Sequence, residues 1–143
     1  MNIVSDFVLN QWHHVRMFKK ISAFSAQIMA AFLGFAGVAH FVAPDQFNPL
    51  IPYWLPGDAT FYTYASGVAE IAVAIGLFIP RTRRLAGWGA GLLFLSVYPG
   101  NIYMAYDWRD RDFSQQLVAY LRLPFQIPLI WWAVSIARKT LRK

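Results

Sequence analysis

The chain has 143 residues, of which 57% are hydrophobic and only 14% charged, with a mean hydropathy of +0.38. Soluble domains carry about 25% charged residues, so the composition reads as one all-α integral membrane domain and leaves no room for a second domain. The net charge of +6 does not indicate nucleic-acid binding, because ten of the thirteen basic residues abut the ends of hydrophobic segments. They are Arg16, Lys19 and Lys20, then Arg81, Arg83 and Arg84, then Arg138, Lys139, Arg142 and Lys143. Cysteine is absent, which excludes disulfide exchange, a thiolate nucleophile and thiolate-bound metal in this chain.

Residues 1–20 are too polar for a cleavable signal peptide, since Asp6, Asn10, Gln11, His13 and His14 interrupt any apolar run. Val4, Phe7, Val8, Trp12, Val15 and Phe18 recur at near-helical spacing. The spacing predicts an interfacial amphipathic helix over residues 1–20, set against anionic headgroups by Arg16, Lys19 and Lys20. Residues 21–143 then form a bundle with four spans, at 21–43, 59–80, 85–106 and 117–137, each long enough for a hydrocarbon core of ~30 Å. The positive-inside rule puts both termini and the second connection in the cytoplasm. Five of the seven acidic residues fall in the two outer connections.

The first outer connection, residues 44–58, holds four prolines and the apolar run Leu50, Ile51, Tyr53, Trp54 and Leu55. It reads as a lid folded onto the outer mouth, with Tyr53 and Trp54 among its residues. The second, Asp107 to Asp112, alternates in charge and reads as a solvated turn. Small residues at Ala26, Ala30 and Gly34, and Gly87 with Gly91, let helix backbones approach closely in lipid, within a bundle or in a dimer. Trp131 and Trp132 read as interfacial anchors.

Every span carries polar groups in its outer half. At 1.5 Å per residue, His40 lies roughly 5 Å inside the first span, Asn101 roughly 8 Å inside the third, Arg122 roughly 8–13 Å inside the fourth and Glu70 roughly 16 Å inside the second. Intramembrane charges are costly and face the bundle interior or a cavity. Glu70 shares a helix face with Gly67 and Ala74, and Arg122 shares one with Gln126. Pro99, Pro124 and Pro128 each free a backbone carbonyl nearby. Two readings of these five residues are open. In one, Glu70 and Arg122 form a structural ion pair, with His40, Asn101 and Gln126 completing hydrogen bonds. In the other, they line an outward pocket for a polar head on an apolar body, such as a quinone or another lipid-like molecule. His13 and His14 are adjacent and have no metal-ligand spacing, so no metal is expected. No phosphate loop or nucleophile motif occurs, and nothing marks the isolated chain as an enzyme.

Several of these segments together resemble DoxX-type membrane proteins. They are Gly37-Val38-Ala39-His40-Phe41, Pro44-Asp45-Gln46-Phe47, Ile51-Pro52-Tyr53-Trp54-Leu55-Pro56, Ser66-Gly67-Val68-Ala69-Glu70, Pro80-Arg81-Thr82-Arg83-Arg84, Pro99-Gly100-Asn101-Ile102-Tyr103-Met104 and Leu121-Arg122-Leu123-Pro124-Phe125-Gln126. The resemblance covers roughly Ile21 to Arg138. It implies a four-helix protein of the bacterial inner membrane, associated with quinone-linked redox, redox-stress or protein-maturation systems. It also sets His40, Glu70, Asn101 and Arg122 at the family's polar positions. Three roles are compatible with it: a quinone- or lipid-binding subunit working with a redox partner, a non-catalytic accessory subunit of a larger membrane complex, or a small carrier acting as a homo-oligomer.

Overall fold

The computed structural model describes the backbone of residues 3–139 and the side chains of residues 23–139. The described residues are helical with no strand: α1 (Ile3–Val42), two 3-10 turns (Pro44–Gln46 and Asn48–Leu50), α2 (Ala59–Phe78), α3 (Arg83–Asp107) and α4 (Phe113–Lys139). α1 runs for 40 residues without a break. From Ile3 on, the interfacial segment expected at 1–20 is therefore continuous with the first span, and no Gly or Pro precedes Gly34 to interrupt it. Its amphipathic face, with His13 and His14, lies outside the described side chains.

Local chemistry sets the other ends. Asp58 caps α2, its Oδ1 accepting from the Thr60 amide at 3.1 Å. Pro80 cannot continue that helix and holds Ile79 extended (φ −79°, ψ 119°). Arg83 then donates from Nε to the Leu77 carbonyl (3.0 Å) and from Nη2 to the Phe78 carbonyl (3.3 Å), satisfying two of the last acceptors of α2. α3 and α4 stay helical through Pro99, Pro124 and Pro128.

Consecutive helices pack antiparallel through small residues. A Cβ on Gly76 would meet Ala86 Cβ at 2.8 Å, joining α2 to α3, and one on Gly87 would meet the Ala137 backbone nitrogen at 2.9 Å, joining α3 to α4. The Gly87–Gly91 face is thus filled from within the chain, with Val134 Cγ2 3.5 Å from a Cβ on Gly91. The main core lies toward the second connection and is rich in alanine: Ala26, Ala30, Ala74, Ala86, Ala90 and Ala133 surround Met29, Leu33, Leu77 and Ile136. A smaller cluster of Met104, Ala105 and Ala119 lies at the other end, covered by Leu50, Trp108 and Leu123. Large side chains point outward instead, including Phe24, Phe35, Leu92, Phe125 and Trp131. Small inside and large outside is the arrangement expected in hydrocarbon, where close packing and not hydrophobicity holds helices together.

Three helices are long and apolar enough to cross a membrane: Ala23–Val42, Ala59–Phe78 and Phe113–Lys139. α3 matches them in length at 25 residues, but Ser96, Tyr98, Pro99, Gly100 and Asn101 dilute its apolar run. Trp132 is not simply an interfacial anchor: its Nε1 donates to Ser25 Oγ at 2.7 Å and ties α4 to α1. Trp131, by contrast, is exposed.

Candidate functional site

The polar groups are organised by the crossing of α1 and α2. A Cβ on Gly37 would fall 2.9 Å from the Gly67 carbonyl oxygen and 3.1 Å from Glu70 Cβ; one on Gly67 would fall 3.0 Å from both the Gly37 carbonyl oxygen and His40 Cβ. Only glycine at both positions allows this approach. His40 and Glu70 each stand three residues beyond one of these glycines. Helical side chains lean toward their own N-terminus. On antiparallel helices that lean carries His40 and Glu70 toward one another, and His40 Nδ1 lies 3.4 Å from Glu70 Oε2.

Both side chains are buried, at 9% and 7% exposure. His40 Nδ1 is also 2.8 Å from the Ala36 carbonyl oxygen. A carbonyl only accepts, so Nδ1 carries the proton. Glu70 Oε1 accepts from Ser66 Oγ at 3.5 Å. Its Oε2 is buried and receives no hydrogen bond, a condition that costs free energy and that active or ligand-binding sites tolerate more often than plain cores. Phe47 stacks on the His40 ring, with centroids 3.9 Å apart. Next to Phe47, Asn48 donates to Thr60 Oγ1 (3.2 Å) and accepts from Thr63 Oγ (2.8 Å), fastening the connection to α2.

A second polar seam joins α3 to α4. Asn101 Nδ2 donates to Gln126 Oε1 at 3.3 Å, and Gln126 Nε2 donates to the Phe94 carbonyl. Gln126 is 5% exposed, so its amide links two helices inside the bundle.

Arg122 belongs to neither seam. Ala119, Gln126 and Ala133 are buried at seven-residue spacing on α4, and Arg122 stands three residues after the first and four before the second. It is therefore on the inward-turned face by register. Yet it is exposed, and no hydrogen bond or ion pair engages it among the described residues. Of the two readings open from the sequence, the one with a Glu70–Arg122 ion pair is not what the structure holds: the basic group beside Glu70 is His40. The face of α4 is uncovered at Arg122 and leaves its guanidinium uncommitted.

Tyr53 and Trp54 sit elsewhere than over the polar pair. Both lean edgewise on Tyr103 of α3, at 6.2 and 4.8 Å between centroids, and Tyr53 is 85% exposed. Leu50 brings the connection's backbone against α3, its carbonyl oxygen 3.4 Å from where a Gly100 Cβ would stand. Phe47 covers His40 instead. Sequence reasoning gave no role to Phe47, Asn48, Thr63 or Ser66. Only Ser66 carries a local signal, its i,i+4 spacing to Glu70. The Asp107–Asp112 turn is mostly exposed, with Arg111 paired to Asp107 at 3.4 Å, but Trp108 tucks into the Met104 cluster. Among the described residues no group of His, Asp and Glu is arranged to hold a metal ion.

An all-α chain with three helices fit to cross a membrane, closed by two internal polar seams, defines a small helical protein of membrane type. The chain belongs to the family described as Domain of unknown function (DUF8561), which matches residues 29–137. That match takes in both seams and Arg122. No curated protein and no solved structure matches the chain.

Proposed function

We propose that the chain is a DoxX-like protein of the bacterial inner membrane that crosses the bilayer four times, with α3 as the remaining span and both termini cytoplasmic. In this reading it binds the polar head of a quinone or lipid-like molecule in the outer leaflet, as a subunit of a redox-associated assembly. The observation that carries the reading is the combination of an uncommitted Arg122 on the inward face of α4 with a buried Glu70 oxygen that lacks a donor. Arg122 would donate to a head-group oxygen through its planar fork. His40 and Glu70 would hold or accept a proton at Nδ1 and Oε2. The positive-inside distribution supports the orientation, and the polar content of α3 is tolerable in a span that faces its neighbours.

Mass spectrometry of the lipids and quinones retained by the purified chain tests this. The wild type is expected to retain one quinone or lipid class above its share of the membrane. Arg122→Gln is expected to lower that retention about tenfold or more, the loss of one charge-assisted hydrogen bond. Identical retained lipids in both proteins would overturn the proposal. A second reading, an accessory subunit in which the polar groups only join helices, draws on the fact that His40–Glu70 and Asn101–Gln126 each connect neighbouring helices. It expects that identical result.

A further inference from the structure

Away from these polar seams, an apolar groove of about 450 Å³ runs between α2 and α3 toward their connecting turn. Ala72, Val73, Gly76, Leu85, Trp88 and Leu92 line it. Its floor is narrow because the two helices approach through Gly76 and Ala86, and a Cβ on Gly89 would stand 3.4 Å from Val73 Cγ2. Three arginines stand at its end, and they are not equivalent. Arg83 is used up by the Leu77 and Phe78 carbonyls. Arg81 and Arg84 are exposed, flank the lining residues Thr82 and Leu85, and have no acceptor among the described residues.

We propose that this groove and the Arg81–Arg84 pair form a binding site for an anionic glycerophospholipid, with one acyl chain along the groove and the phosphate between the two guanidinium groups. The charge complementarity argues for this occupant. Guanidinium forks match phosphate oxygens, and basic pockets between helices on the cytoplasmic side select anionic headgroups. A zwitterionic lipid would fill the groove equally well but would gain less from the arginines. The site rests on the orientation proposed above only for its leaflet; its chemistry is independent of the outer polar site, and so is its test.

Native mass spectrometry of the full chain in detergent, titrated with phosphatidylglycerol or with phosphatidylcholine of the same acyl chains, reads the site directly. The wild type is expected to retain phosphatidylglycerol preferentially. The double variant Arg81→Gln/Arg84→Gln is expected to lose roughly thirtyfold in that affinity, at about fivefold per basic side chain. Ala72 is an exposed lining residue, so Ala72→Phe is expected to block the groove and weaken binding while leaving the thermal midpoint unchanged. Equal retention of the two lipids, or undiminished phosphatidylglycerol binding by the double variant, would overturn the proposal. So would a loss in the arginine variant alone with Ala72→Phe binding normally, since that would mean headgroup attraction without a groove.

Discussion

Gly67→Ala is expected to lower the thermal midpoint of the detergent-solubilised protein by several degrees, a loss of about 1–3 kcal/mol for overpacking a close contact. The added methyl would lie 2.8 Å from Phe41 Cε2, which can swing aside, but also 3.0 Å from the Gly37 carbonyl oxygen, which belongs to a helix backbone and cannot move alone. α1 and α2 would have to separate, and the His40–Glu70 contact would lengthen with them. Gly34→Ala is the matched control. Its Cβ would meet only Ala74 Cβ at 3.7 Å, an ordinary contact, so it should be neutral or slightly stabilising through helix propensity, by roughly 0.5–1 kcal/mol. Equal destabilisation by both variants would show that helix entropy or general crowding, and not the Gly37–Gly67 crossing, sets the response.

Gln126→Leu is expected to destabilise the protein by about 1–3 kcal/mol, measured as thermal unfolding in detergent. The substitution keeps the approximate size of the side chain but removes the acceptor of the Asn101 amide and the side-chain donor to the Phe94 carbonyl at once. Interhelical hydrogen bonds within membranes average only about 0.6 kcal/mol in double-mutant cycles. The greater part of the loss therefore comes from polar groups inside the bundle left short of a partner. Adding Asn101→Leu to Gln126→Leu should restore part of the stability, because it removes the amide left without its acceptor. Arg122→Leu, one turn away on the same helix, is expected to cause no loss. A loss as large as that of Gln126→Leu would mean that Arg122 has an acceptor in the bundle.

Much of this architecture is legible in the sequence. Asp58, Pro80 and the charged Asp107–Asp112 turn bound the helices within a few residues of where they end. The face containing Gly67, Glu70 and Ala74 is buried as its register requires. The partner of Glu70 is not legible from depth alone. Counting 1.5 Å per residue sets His40 and Glu70 roughly 11 Å apart along the membrane normal, which hides a contact made by two side chains leaning toward each other across a glycine crossing. The same count brings Arg122 closer to Glu70 than His40 is, yet the pairing of α1 with α2 and of α3 with α4 keeps Arg122 apart from the seam that holds Glu70. Asn48 escapes notice for a different reason. Its hydrogen bonds to Thr60 and Thr63 span 12 and 15 residues across a proline-rich turn, and no periodicity encodes such a contact. The α1 segment before residue 21 has an amphipathic pattern, but a pattern alone does not say where a helix bends, and this stretch has neither Gly nor Pro to bend it.

The division into two seams with Arg122 outside both is tested most directly by a double-mutant cycle on thermal unfolding with His40→Gln, Glu70→Gln and Arg122→Gln. His40 and Glu70 are expected to couple by about 1 kcal/mol or more, and Glu70 with Arg122 to be additive within roughly 0.3–0.5 kcal/mol. Coupling between Glu70 and Arg122, or additivity between His40 and Glu70, would contradict that arrangement.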